Sequence, residues 1–178
     1  MKRVVCLYGG PGVGKSTIAA KLFYLSKMAG LNVELVREYI KDWVWEGRNI
    51  LPGDQIYIFA KQSRKERILF KDVDMIITDS PLWISAVYEE RNEPPPMVIP
   101  LGIQKQLDVA AGFGFEYVHY YLSRVTDYNP SGRLQTADEA KKIDNQIQSY
   151  LDRHGIKYKM IVPGPNSAQE IFDDCSGG

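Results

Sequence analysis

The chain has 178 residues, 44% of them hydrophobic, 25% charged and 11% aromatic, which excludes a disordered tail or a fibre and suits a single domain over 1–178. Its 22 basic and 22 acidic residues cancel unevenly: residues 1–72 carry 13 basic and 7 acidic groups and residues 73–178 carry 9 and 15, so a polyanionic partner should meet the first part. No apolar run approaches the ~20 residues of a membrane helix, the start turns into glycines too early for a signal peptide, and Cys6 and Cys175 have no ligand spacing; a reducing cytoplasm without a membrane partner is expected, and nothing sets an oligomeric state.

Arg3 to Tyr8 is a short apolar run ending in Gly9-Gly10-Pro11-Gly12, the pattern of a buried strand feeding a tight loop. Ile18, Ala19, Leu22, Phe23 and Leu25 keep helical spacing between Lys15 and Met28, with Gly30 as the stop. Val33 to Val36 reads as the second strand, residues 54–71 as a basic helix, and Val73 to Thr78 as an apolar third strand running into Asp79. Glu89 to Pro96, acidic and then proline-rich, is expected to be an exposed loop. Glu116 to Leu122 is the fourth strand. Thr136 with Glu139 forms a capping box ahead of Ala140, Ile143, Ile147 and Leu151, an amphipathic helix. Between them, residues 123–136 are expected to form a short lid. Tyr158 to Val162 is the fifth strand, and Ser167 with Glu170 is expected to cap a short last helix. Strands alternating with helices predict a parallel sheet covered by helices.

Gly9-Gly10-Pro11-Gly12-Val13-Gly14-Lys15-Ser16-Thr17 matches G-x-x-x-x-G-K-[ST] between a predicted strand and a predicted helix, the context of a phosphate-binding loop. Glycines let backbone amides turn inward around a polyphosphate, the helix N-terminus adds positive partial charge, Lys15 reaches the transferring phosphate, and Ser16 offers a hydroxyl to Mg²⁺. No Asn-Lys-x-Asp base-reading motif of a GTPase is present, and the third strand ends in Thr78-Asp79-Ser80-Pro81 without the glutamate a remodelling ATPase uses to polarise water. Transfer to a bound hydroxyl is therefore expected over hydrolysis, with an ATP-dependent switch module as the non-kinase reading.

Ligands of open parallel sheets sit beyond the carboxyl ends of the strands. There Asp79 is expected to hold Mg²⁺ through water, its competing use being a helix N-cap. Glu38 is the expected general base, with Asp42 second in line and a surface charge as the alternative for each. Arg37 either orients the acceptor or pairs with a carboxylate. Arg124 and Arg133 flank the lid and are expected to close over the triphosphate. Pro163-Gly164-Pro165-Asn166 is a wall for adenine or a plain turn. Arg64, Arg67 and Lys71 share a helix face that either tracks a nucleic-acid backbone or is solvated. Trp43, Trp45 and Trp83, with Tyr39 and Tyr57, are candidates for stacking on an acceptor base, Trp83 and Trp43 first among them, with core packing as the alternative for most.

These residues resemble a known group. The phosphate loop, Val36-Arg37-Glu38-Tyr39, Lys41-Asp42, Phe59-Ala60-Lys61-Gln62, Ile77-Thr78-Asp79-Ser80-Pro81-Leu82 and Tyr128-Asn129-Pro130-Ser131-Gly132-Arg133 look like a family of small bacteriophage phosphate-loop kinases. That family is similar to ribosylnicotinamide and nucleoside or nucleotide monophosphate kinases, and some members are 5-hydroxymethyluracil DNA kinases. The resemblance implies an adenylate-kinase-like, doubly wound, mainly five-stranded parallel sheet, and ATP and Mg²⁺ as cofactors. It also implies an acid at Glu38 or Asp42 on the acceptor side, an acid at Asp79 on the metal side, and lid arginines at Arg124 and Arg133. The acceptor it implies is the hydroxymethyl group of 5-hydroxymethyluracil in phage DNA, the alternative being a small nucleoside, nucleotide or nicotinamide riboside.

Overall fold

Alternation along one strand decides how the sheet is covered. β1 (Lys2–Tyr8) sends Val4, Cys6 and Tyr8 into one apolar cluster and Val5 and Leu7 into another, all five fully buried. A strand buried on both faces must be central and sandwiched between helices. The computed structural model, which describes residues 2–51, 53–94, 97–125 and 136–176, shows that arrangement. β1 is followed by α1 (Lys15–Met28), β2 (Val33–Val36), α2 (Lys41–Trp45), α3 (Asp54–Arg67), β3 (Met75–Thr78) and α4 (Leu82–Asn92). Then come α5 (Ile99–Gly112), β4 (Phe115–Leu122), α6 (Ala137–Arg153), β5 (Lys159–Ile161) and α7 (Ser167–Ser176). The five strands run parallel in the order β2-β3-β1-β4-β5. Ile18, Ala19 and Leu22 of α1 and Ala168, Ile171 and Cys175 of α7 cover the Val5–Leu7 face. Side chains of α3, α4, α5 and α6, among them Phe59, Trp83, Ile103 and Ile147, cover the other.

The expected strands, α1 and the capping box are present. Thr136 Oγ1 accepts from Glu139 N, and Glu139 Oε2 accepts from Thr136 N at 2.7 Å, so two orphan amides of α6 are satisfied reciprocally. Gly30, at φ 78°, ends α1: Leu31 N reaches back to Ser26 O at 3.0 Å and Gly30 N to Lys27 O at 3.0 Å. The basic helix stops at Arg67 rather than residue 71, and the third strand begins at Met75 rather than Val73.

Two expectations are corrected. Glu89 to Pro96 is not all loop, because α4 continues through Asn92. The prolines restrict only the backbone next to them, and Glu89 is only 2% exposed. Its carboxylate accepts from Val98 N at 2.9 Å and Ile99 N at 3.1 Å, satisfying the start of α5, which like α2 has no clear signal in the sequence. Ser167 and Glu170 form no capping box either. Ser167 is the first residue of α7, and its hydroxyl turns back to accept from Gly164 N at 2.6 Å and to donate to Val162 O at 3.1 Å.

Candidate active site

The phosphate loop spans the gap between the end of β1 and the start of α1, at the carboxyl edge of the central strand. Gly14 takes φ 100° at the N-cap of α1, with no side-chain cap and no acidic residue in the first turn, so the helix amides meet no internal counter-charge. Lys15 Nζ donates to Gly9 O at 2.7 Å and Gly10 O at 3.0 Å. Burial lowers the Lys15 pKa, and the carboxylates of Glu38, Asp79 and Asp144 pull it back up.

A cavity of about 650 Å³ opens on this loop. Gly9, Gly10, Pro11, Gly12, Gly14, Lys15, Ser16 and Thr17 line it, whereas Val13 turns into the core. Glu38 and Asp79 line it as well. The direct pairing of β1 with β3, Cys6 opposite Thr78, carries Asp79 to the loop. Asp79 is 4% exposed, and its Oδ1 accepts from Glu38 N at 2.9 Å. It caps no helix: Pro81 holds the N-cap position of α4, without a side-chain cap. The next amide, Tyr39 N, donates to Gln62 Oε1 of α3 at 3.0 Å. Two successive amides after β2 are thus fixed by buried side chains, which sets where the Glu38 carboxyl points. Burial raises the Glu38 pKa, and the Lys15 ammonium opposes that shift.

Asp144, on α6, was not singled out by the sequence reading, yet it holds the loop. Its Oδ1 accepts from Gly10 N at 2.6 Å and its Oδ2 from Arg124 Nε at 2.6 Å, while Arg124 Nη2 donates to Pro11 O at 2.8 Å. Arg124 therefore sits at the foot of the phosphate loop in a partly buried ion pair with Asp144. A Cβ on Gly10 would lie 2.5 Å from Asp144 Oδ1 and 2.8 Å from Ala140 O, so only glycine lets α6 approach this closely. The signal available in the sequence was Asp144 one helical turn after Ala140 on the buried face of α6. Arg133 and most of the expected lid lie outside the described residues.

The other expected residues are placed as follows. Asp42 is exposed and does not line the cavity, so of the two acids after β2 only Glu38 does. None of Arg37, Tyr39, Trp43, Trp83 and Arg64 lines it. Arg37 is exposed, its carbonyl accepting from Lys65 Nζ at 3.0 Å. Tyr39, Trp43 and Tyr57 pack together, with Arg48 over the Trp43 ring at 3.9 Å. Trp83 is buried edge-on against His119 and Tyr117. Arg64 is on the exposed side of α3, but Arg67 turns to donate to Gln106 Oε1 at 3.1 Å, so the basic face does not act as one stripe. The turn at 163–166 is held by Ser167 and by Lys21 Nζ on Pro165 O at 2.6 Å, and does not line the cavity.

Beyond Glu38 the cavity runs between α2 and α4. The tryptophan that lines it is Trp45, beside Ile50 and Leu51, and Gln55 of α3 presents a side-chain amide that is 8% exposed. Along α4, Ile84, Tyr88 and Arg91 recur at helical spacing on the lining face. Among the described residues no cluster of three or more His, Cys, Asp or Glu side chains can hold a metal by itself, and no helix is long and apolar enough to cross a membrane.

Among the solved structures that share the fold are two kinds of protein. Deoxyadenosine kinase from M. mycoides, with products dCMP and a flexible dCDP bound, aligns with a TM-score of 0.58 at 15% identity over 98% of this chain and 100% of that one. NadR protein in complex with NR aligns with a TM-score of 0.71 at 14% identity over 99% of this chain and 51% of that one, so the present chain spans about half of NadR. No curated protein matches by sequence. A family model described as an AAA domain matches residues 4–169, which take in the phosphate loop and all five strands, and the chain belongs to that family.

Proposed function

We propose that the protein is an ATP-dependent phosphotransferase that moves the γ-phosphate onto a hydroxyl of a small nucleoside-type acceptor. The observation that carries this reading is that Lys15 and Glu38 line one cavity running from the phosphate loop into the pocket between α2 and α4. The loop amides and Lys15 bind and orient the triphosphate. The acceptor oxygen bonds to the γ-phosphorus as the bond to the β–γ bridging oxygen breaks, the hydroxyl proton passes to the Glu38 carboxylate, and ADP leaves. A carboxyl whose affinity for protons burial has raised suits that role. Arg124, held by Asp144 beside Pro11, contributes fixed positive charge at the loop.

The donors present fit Mg²⁺: Ser16 and Asp79 offer hard oxygen ligands on the same cavity wall. When bound, the ion supplies charge neutralisation across the phosphate oxygens.

A small acceptor is favoured over a base in DNA because a nucleic-acid path from the cavity would cross Arg64, Arg67 and Lys71, none of which lines it. The volume is in the range of small-ligand sites, roughly 300–1,000 Å³. The fold shared with a deoxyadenosine kinase supports the same reading. Incubation with γ-labelled ATP, Mg²⁺, a panel of nucleosides and nucleotides, and DNA with or without 5-hydroxymethyluracil tests it. Label is expected on a small acceptor. Label confined to modified DNA would restore the polymeric acceptor, and steady ATP hydrolysis indifferent to every acceptor would favour a switch module.

A further inference from the structure

The acceptor half of the cavity carries two features that phosphate transfer itself does not use. One is an apolar wall at the end of α2 and on the connection to α3: Trp45 is 68% exposed, Leu51 63% and Ile50 42%, and all three line the cavity. A planar ring packed on that exposed apolar surface would remove it from solvent. The other is Arg91. At 1.5 Å per residue it stands about 10 Å along α4 from Ile84, away from Asp79 and the phosphate loop.

Among the described residues Arg91, which is exposed, makes no hydrogen bond or close ion pair; Glu139 feels its charge from a distance, and the acids around it are engaged elsewhere. Glu93 Oε1 accepts from Gly53 N at 3.1 Å, and Glu139 Oε2 accepts from Thr136 N at 2.7 Å and Thr136 Oγ1 at 3.0 Å. Glu90 is taken up in a two-pronged pair with Arg153 at 2.9 and 2.8 Å. An exposed guanidinium without a hydrogen-bonded carboxylate therefore lines the same cavity as the apolar wall, with Glu139 as its electrostatic neighbour, and a planar fork of this kind suits an oxyanion with two acceptor oxygens.

We infer that the acceptor is a nucleoside-type molecule whose ring packs on Trp45 and which carries, remote from the receiving hydroxyl, an anionic group that pairs with Arg91. The group is a ring carboxylate or a phosphate ester. This rests on the phosphotransferase reading and narrows it to a charged acceptor class.

Matched pairs differing in that charge test it: nicotinic acid riboside against nicotinamide riboside and orotidine against uridine for a carboxylate, 5-hydroxymethyl-deoxyuridine 5′-monophosphate against its nucleoside for a phosphate. Affinities are measured by calorimetry with Mg²⁺ and a non-hydrolysable ATP analogue, so the readout does not depend on turnover. In at least one pair the charged member is expected to bind about tenfold or more tightly, as a charge-assisted contact supplies. Arg91→Met should make the two affinities of that pair converge, Trp45→Ala should weaken both, and Arg64→Met, outside the cavity, should leave the preference in place. Equal affinities in every pair, no binding of any charged member, or a preference that survives Arg91→Met would overturn the inference. A charge preference lost with Arg91 but accompanied by no labelled product from ATP would instead overturn the phosphotransferase reading alone.

Discussion

Glu38 shows how placement converts an ordinary acid into a candidate base. Its backbone amide is tied to Asp79 and its neighbour's to Gln62, so the carboxyl is held where burial raises its proton affinity and Lys15 partly restores the charged form. A base must be unprotonated to act, so turnover should rise with pH through a midpoint above the ordinary 4.5. Glu38→Gln should lower kcat by about a hundredfold or more, leave ATP affinity nearly unchanged, and abolish that acidic limb in a kcat/KM profile. An equal loss of ATP binding would place the residue at the phosphates instead. Arg124 illustrates a second lesson: an arginine at the end of a strand can be claimed by a helix 20 residues later.

At the scale of elements, α6 and the phosphate loop act as one unit. Asp144 joins them by accepting from Gly10 N and Arg124 Nε, with Tyr121 OH donating to Asp144 O at 2.9 Å. Asp144→Asn removes the charge opposite Arg124, and its single amide oxygen can accept from Gly10 or from Arg124 but not both, so an NH2 donor faces the other donor. ATP KM is expected to rise about tenfold while acceptor KM is little changed, with a lowered Tm reporting the weakened pair. Acceptor and ATP KM rising together, or a lowered Tm with both KM values intact, would show that the clamp supports the fold and not the loop. The helix α3 also divides its labour: its exposed basic side is what the sequence displays, but Gln55, Gln62, Ser63 and Glu66 are buried and polar. Such residues look misplaced by periodicity alone; the partners of Gln62, Ser63 and Glu66, which are Tyr39, Gln106 and Tyr117, come from other elements.

For the whole molecule, the costliest of these is Glu66. It is fully buried, accepts from Tyr117 OH at 2.7 Å, and is pushed up to about 7 by burial. The native state then retains a proton that the unfolded chain releases near 4.5, so stability should fall as pH rises from about 4.5 to about 7, by up to about 3 kcal/mol. Glu66→Gln, which keeps an acceptor for Tyr117 without the charge, should flatten that dependence in denaturant titrations across this range. An unchanged slope would show that the carboxyl does not retain its proton in the folded protein.

The sequence alone determined what depends on neighbours in the chain. Strands with apolar runs, the glycine turn and lysine of the phosphate loop, the capping box of α6 and the glycine stop of α1 all follow from local backbone geometry and short-range hydrogen bonds. The tertiary structure alone decided what depends on residues far apart: that Trp45 and not Trp43 or Trp83 lines the cavity, that Asp144 grips Gly10, that Glu89 satisfies the first amides of α5, and that Arg67 is claimed by Gln106. The difference is physical. Composition and spacing report which side chains prefer burial or a turn, whereas the choice among chemically similar tryptophans, carboxylates and arginines is made by packing and by polar partners that the fold brings together.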